Sequence, residues 1–255
     1  MIAQKLSLHL RQLAIRSFSS SYSSTANPAN EIFLERLSGK DEGITLVTMN
    51  RPAKRNSLGR VFMDQFREVF DEIKYDPKTR VVILKSAVDN VFCSGADLKE
   101  RREMNHQESA RFVTGLRDGF TEVEKLPQPV IAAIDGYALG GGLELALACD
   151  IRVASTKAKM ETLPNHRSCQ SEELIYTARV LSGEDAERLG IVNHVVDGNP
   201  VDKSLEIARE ILPATDITSA LTVEQQCYAQ IIPTKDRQEG MAAFAEKRDP
   251  VYKGE

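Results

Sequence analysis

The run Gly136-Tyr137-Ala138-Leu139-Gly140-Gly141-Gly142-Leu143-Glu144-Leu145-Ala146-Leu147-Ala148-Cys149-Asp150 constrains this chain more than any other stretch. It follows an apolar strand pattern, Pro129 to Asp135, and passes through a glycine turn into an apolar helix. Three successive glycines let a ligand approach the backbone. They leave the first helical amides pointing outward, where the helix dipole favours an anionic oxygen. A tight strand-to-helix turn with no ligand would use the same residues. Glu144 adds chemistry, because a carboxylate on an otherwise apolar helix is costly to bury unless it is partnered or used. A solvent-facing glutamate is the alternative.

The rest of the chain supplies a scaffold for such a turn. Ile44 to Met49 reads as a short strand, and Asn50-Arg51-Pro52 breaks it into a loop carrying Lys54 and Arg55. A helix is predicted next, with Leu58, Val61, Phe62, Phe66, Val69, Phe70 and Ile73 on one face. Arg80 to Lys85 reads as a second buried strand, and a second long helix is expected near Glu108 to Leu126. Strands alternate with helices, which predicts a layered α/β core with its chemistry in the loops at strand ends. From Pro200 onward the chain is mostly helical, so residues 31–199 are expected to form the core and 200–255 a helical appendage used in assembly.

A second loop, Phe92-Cys93-Ser94-Gly95-Ala96-Asp97-Leu98-Lys99-Glu100, joins a buried strand to the next helix and offers another exposed amide near Ala96. Two backbone N–H groups from separate strand ends form an oxyanion hole, which stabilises a thioester enolate without a cofactor. A glutamate beside it can do acid and base work on a carbonyl compound.

Taken in order and spacing, Asn50-Arg51-Pro52, Asn56-Ser57-Leu58, Phe92 to Lys99 and Gly136 to Asp150 resemble the enoyl-CoA hydratase, or crotonase, family. The resemblance covers residues 31–255. Ala96 to Arg101, the Gly-Gly-Leu-Glu-Leu-Ala-Leu-Ala-Cys-Asp run and Ile232 to Arg237 are most similar to its methylglutaconyl-CoA hydratase branch. It implies a spiral of ββα units with a C-terminal helical appendage, assembled as a homotrimer or homohexamer. It also implies that the Ala96 and Gly141 amides hold the thioester oxygen and that Glu144 positions and deprotonates a water. Lys54, Arg55, Asp97, Leu98 and Lys99 would lie near the CoA moiety with those two amides. The substrate would be a 2-enoyl-CoA such as 3-methylglutaconyl-CoA, from leucine or fatty-acid breakdown. Coenzyme A is then part of the substrate, and neither a metal nor a separate cofactor is expected.

One segment departs from the family. Hydratases of this family carry a second glutamate followed by a Pro-Gly-X-Gly-Gly turn, and this chain instead runs Glu161-Thr162-Leu163-Pro164-Asn165-His166-Arg167-Ser168-Cys169-Gln170. Roughly fifteen to twenty residues are missing there, more than a loop trim removes. Glu161 is the second-glutamate candidate, seventeen positions after Glu144. A solvated loop glutamate is the alternative, and a catalytically impaired family variant is the alternative for the chain. His166 and Cys169 lack an adjacent base and orienting carboxylate, so they do not read as a nucleophilic pair.

Composition narrows partners and compartment. Before Glu31 the only formal side-chain charges are Lys5, Arg11 and Arg16, followed by a serine cluster from Ser17 to Ser24. That composition predicts a mitochondrial transit peptide over residues 1–30 and residence in the matrix, with a disordered tail as the alternative. The four cysteines lack CxxC spacing and are expected as free thiols. No apolar run is long enough to span a membrane. A net charge of −4 argues against nucleic acid. RNA binding through a lysine-rich helix, which the resembled branch also includes, is not expected either. Arg60, Arg67 and Lys74 are outnumbered by Asp64, Glu68, Asp71 and Glu72 on the corresponding helix here.

Overall fold

A strand buried at every position, as Ile44 to Met49 is, has no solvent face and must lie in the middle of a sheet covered on both sides. The computed structural model, which describes residues 30–161, 180–213 and 233–253, places it so. A six-stranded sheet has the order β1 (Ile32–Arg36), β2 (Ile44–Met49), β3 (Val81–Ser86), β5 (Val130–Ile134), β7 (Ile151–Ser155) and β10 (His194–Val196). Only β1 runs antiparallel to its neighbour; every other pairing is parallel. Alternate side chains of the central strands feed two cores. Val47, Met49, Val82 and Leu84 join one, and Ile44, Leu46, Val81 and Ile83 join the other.

The intervening strands form a second, four-stranded sheet in the order β4 (Val91–Cys93), β6 (Tyr137–Leu139), β8 (Lys159–Glu161) and β9 (Leu181–Ser182). Successive strands therefore alternate between the sheets: β3 then β4, β5 then β6, β7 then β8. Helices follow the pairs: α2 (Leu98–Glu103) and α3 (His106–Glu124) after β4, and α4 (Gly141–Leu147) after β6. This is the expected α/β spiral of ββα units. The small strands of two or three residues read as loop in sequence, since a run so short has no period.

Helix α1 (Arg60–Lys74) follows β2 and buries Phe62, Met63, Phe66, Phe70 and Ile73. Phe66 and Phe70 stack with ring centroids 4.5 Å apart. The helix begins two residues later than the apolar spacing suggests. Leu58 is fully buried ahead of it, bridged to Ala96, and Val61 is 55% exposed. Helix α3 begins at a capping box in which Asn105 and Glu108 exchange hydrogen bonds, two residues before the expected start.

After α5 (Gly183–Arg188) and β10, helix α6 (Pro200–Ile211) lies on the large sheet, where Ile207 and Ala208 close the second core. Within the stretch expected as a helical appendage, α6 thus turns its apolar stripe to the sheet. Helix α7 (Lys235–Glu246) follows. Among the described residues no helix is long and apolar enough to cross a membrane. Cys93 and Cys149 are free, and burial pushes both thiols up to about 12. Residues 1–29, His166, Cys169, Cys227 and the departing stretch after Glu161 lie outside the described residues.

The tightest packing is where α4 starts. A Cβ on Gly142 would lie 2.3 Å from the Cys93 carbonyl oxygen, and one on Gly136 would lie 1.9 Å from that of Asn90. At an ordinary helix position Gly→Ala gains about 0.5–1 kcal/mol. Here the sign reverses: Gly142→Ala should lower stability by about 1–3 kcal/mol or more, the usual cost of overpacking, as read by urea unfolding.

Candidate active site

Two loops at the ends of β2 and β4 are tied together by backbone and by one buried cation. After β2 the chain makes a tight turn at Pro52–Lys54, and then Arg55 and Asn56 both adopt left-handed backbone (φ 50° and 52°). Asparagine tolerates this conformation better than most residues, and here its side chain anchors the turn. Fully buried, Asn56 accepts from the Arg51 N–H at 2.8 Å and donates to Ser86 Oγ at 2.7 Å and the Phe92 carbonyl at 3.0 Å.

The loop after β4 is then laid alongside. Leu58 N–H donates to the Gly95 carbonyl at 2.8 Å, and Asp97 N–H donates to the Leu58 carbonyl at 3.0 Å. These two bonds bracket Ala96, whose own N–H donates to none of the described residues. Gly141, the first residue of α4, is likewise without a described acceptor, since Leu143 and Glu144 take the Gly140 carbonyl. The two amides are neighbours. A Cβ on Gly141 would lie 3.9 Å from Ala96 N and 3.1 Å from Leu58 Cδ1, while one on Gly95 would lie 3.3 Å from Gly141 N. Gly140 makes the turn with φ 51° and ψ −121°, a backbone conformation open to glycine.

Burial along α4 runs partly exposed at Gly141, Glu144 and Leu147 and buried between them, so Glu144 shares the accessible face of Gly141, three residues on. Glu161 ends β8 as the register partner of Leu139, and its carbonyl accepts from Gly140 N–H at 2.8 Å. The fold thus brings Ala96, Gly141 and Glu144 together and ties the backbone of Glu161 to the same turn. Glu161 is half-buried, and Met160 beside it is in the core.

The remaining expected residues ring the loops. Lys54, Arg55, Leu98 and Lys99 are exposed, Leu98 at 69%. Asp97 is turned inward, with 4% exposure. It caps α2 by accepting from the Lys99 and Glu100 amides, and it pairs with Arg51 at 3.0 Å and Lys54 at 3.6 Å.

Sequence reasoning assigned no role to Arg51, which is buried and reaches four residues. Nε donates to Glu31 at 2.7 Å and Nη2 to Glu100 at 2.7 Å, while Nη1 serves Asp97, Ser57 Oγ and the Ser57 carbonyl between 2.8 and 3.0 Å. Burial works against its charge, but Glu100 and Glu31 outweigh that and raise its pKa. The available signal was the Asn50-Arg51-Pro52 motif itself, because a buried charge has no periodic signature.

The clefts among the described residues include two that lie elsewhere. One of about 290 Å³ is lined by Tyr75, Pro77, Pro127 and Gln128, and one of about 470 Å³ by Lys85, Asp135, Lys157 and Asn199. Neither includes Ala96, Gly141 or Glu144. Among the described residues no set of three His, Cys, Asp or Glu converges as metal ligands would. What the arrangement offers is two convergent amide donors on an accessible edge, with a carboxylate on the same helix face. It can stabilise an oxyanion and move a proton beside it.

Burial of Asp97 raises its pKa, but the Glu100 amide, the Lys54 and Arg51 charges and the Lys99 amide together hold it below the ordinary 3.8. A depressed carboxyl pKa contributes stability that is fully present above the unfolded value and lost as pH falls through the folded one. Asp97→Asn should therefore lower the thermal midpoint at pH 7, and the gap to wild type should narrow below pH 4. A gap that stays constant from pH 7 to pH 2 would mean the charge of Asp97 is not what stabilises the loop.

The profile of the enoyl-CoA hydratase/isomerase family matches residues 39–167. The chain is 44% identical to enoyl-CoA hydratase domain-containing protein 2, mitochondrial, of Mus musculus over 273 aligned positions, covering 92% of each chain. It is 41% identical to methylglutaconyl-CoA hydratase, mitochondrial, of Homo sapiens, covering 92% of this chain and 80% of that one. Among solved structures, the enoyl-CoA hydratase of Bacillus anthracis superposes with a TM-score of 0.69 at 35% identity, covering 88% of this chain and all of the other.

Proposed function

Because this chain belongs to the enoyl-CoA hydratase/isomerase family, we propose that it adds water across the double bond of a 2-enoyl-CoA thioester in the mitochondrial matrix, with 3-methylglutaconyl-CoA as the first substrate to test. The observation that carries this reading is the juxtaposition of the Ala96 and Gly141 amides with Glu144 on the Gly141 face.

In this mechanism the thioester oxygen accepts from both amides. As water attacks C3, electron density moves through C2 onto that oxygen, and the two N–H groups stabilise the enolate in place. Glu144 accepts the proton that the water loses. Glu161 supplies the proton that C2 gains, so the elements of one water molecule are added and both carboxyl groups return to their starting states by exchanging one proton. Lys54, Arg55 and Lys99 lie at the surface of the same loops, where cationic side chains suit the CoA phosphates. Mitochondrial residence draws support from the names of the relatives and from the basic, serine-rich leader. Assembly as a trimer or hexamer through the C-terminal helical region is part of the same proposal. RNA binding is not favoured: on α1, Arg67 pairs with Asp64 at 2.9 Å, and the helix carries more acidic than basic residues.

A second reading has its own observation. An alignment of 273 positions exceeds the 255 residues of this chain, so the relatives carry residues that it lacks. The family profile match also stops at residue 167, within the departing stretch. In that reading the chain binds and polarises the thioester but turns it over slowly, because Glu161 does not reach C2.

Hydration of crotonyl-CoA and 3-methylglutaconyl-CoA by wild type, Glu144→Gln and Glu161→Gln separates the two. The two-glutamate hydratase requires a loss of roughly 10² to 10⁴ in kcat for each variant. A folded wild type with negligible turnover, or Glu161→Gln at wild-type rate, supports the impaired reading.

A further inference from the structure

The proposed reaction leaves one buried cation without a chemical task. Arg51 is buried, and its guanidinium holds a residue beside each partner of the Leu58–Ala96 bridge. On one flank it holds Ser57 by carbonyl and hydroxyl at 2.8 and 3.0 Å, and Ser57 precedes Leu58, which bonds to the Gly95 carbonyl. On the other it holds Asp97, whose N–H closes the same bracket on the Leu58 carbonyl. A third arm takes Glu100, which also accepts from the first amide of α1 at Arg60. On the remaining edge, Glu31 accepts from Nε, and its second carboxylate oxygen is buried with no partner among the described residues.

We propose that Arg51 is a positioning residue of the oxyanion hole, setting where the Ala96 N–H points by clamping Ser57, Asp97 and Glu100 in one plane. The inference rests on the hydratase reading and deepens it. Three carboxylates around one guanidinium is more negative charge than loop stability alone calls for, since an apolar contact of the same volume is usually as stabilising as a buried ion pair. A planar fork gives what an apolar contact cannot, which is fixed angles between three acceptors. An oxyanion donor must sit within about 0.5 Å of its productive position. Lysine would keep the charge but offers a single rotatable ammonium and cannot span the same set.

The test uses the full chain and a push–pull dimethylaminocinnamoyl-CoA, whose absorption moves to longer wavelength when its carbonyl oxygen is polarised. The shift needs binding but no turnover. Wild type should shift the probe. Arg51→Lys should bind it with Kd within about threefold, lose most of the shift and, where wild type turns over, lose roughly 10- to 100-fold in kcat with little change in KM, less than deleting a donor costs. Glu100→Ala, which opens one arm at a partly exposed side chain, should lose part of the shift in the same direction, and it decides the matter if Arg51→Lys does not fold. A folded Arg51→Lys, or failing that Glu100→Ala, with an undiminished shift overturns the positioning role alone. A wild type that binds the probe without any shift overturns the oxyanion-hole reading, and the role of Arg51 with it.

Discussion

Backbone contact between α4 and β4 is the constraint on which the rest of this structure depends. With no side chain at Gly142, the helix approaches until its first turn rests on the Cys93 carbonyl, and Gly136 lets β6 come as close to Asn90. Any Cβ at these places would push the small sheet apart from the helix that follows it. Because the contact is made by backbone, it fixes the Gly141 amide relative to Gly95 and Ala96 to within the tolerance of van der Waals packing. Two strands of the same sheet thereby deliver two amides to one point, although 45 residues separate them in sequence. The spiral does the rest, because every turn contributes one strand to each sheet and returns the chain to the same edge.

Charge is used where packing cannot set an angle. The loops after β2 and β4 have no regular hydrogen-bond ladder: Leu58 bonds to Gly95 and Asp97, and Ser94 N–H donates to the Arg55 carbonyl. Arg51 and Asn56 supply the missing order from within, each buried and each bonded to several partners. A buried guanidinium with one carboxylate would be poorly satisfied. With Glu31, Asp97 and Glu100 it is held on every edge, and its pKa stays raised despite the burial. The same logic operates at the far end of α1. Arg36 and Thr79 bond to Asp76, pulling its pKa down to about 2, and Thr79 also meets Thr45 in the sheet.

Legibility in the sequence depends on which features have a period. The strands β2, β3 and β5 are apolar runs, the buried face of α1 repeats every three to four residues, and the glycine triplet announces itself. The site residues Ala96, Gly141 and Glu144 came from those signals and from the family resemblance. The strands β4, β6 and β8 were not legible, because three residues between turns carry no pattern and their pairing partners lie tens of residues away. Helix α6 has an apolar stripe that would serve an intersubunit contact or a sheet equally well, and only the tertiary fold chooses the sheet. The ion pair of Asp97 with Arg51 was not legible, because the two lie 46 residues apart, while its cap on α2 is local. Val61 leaves the buried face for a similar reason: Leu58 bridges to Ala96 ahead of the helix, which starts two residues later.

The two halves of the proposed chemistry are anchored differently, and that difference bears on what a shortened chain retains. Polarising a thioester requires only the Ala96 and Gly141 amides, and these are fixed by glycine contacts and the Arg51 clamp, all within residues 31–142. Acid and base work requires side chains, and the second of these sits at the last position of β8. That strand is held by its register with β6 and by the bond from Gly140 to the Glu161 carbonyl. The backbone of Glu161 is therefore part of the spiral. In the proposed chemistry, shortening after residue 161 would act on the proton-delivering half and spare the oxyanion-stabilising half. A chain built this way can keep affinity for the thioester and the polarisation of its carbonyl even where proton delivery to C2 has been altered.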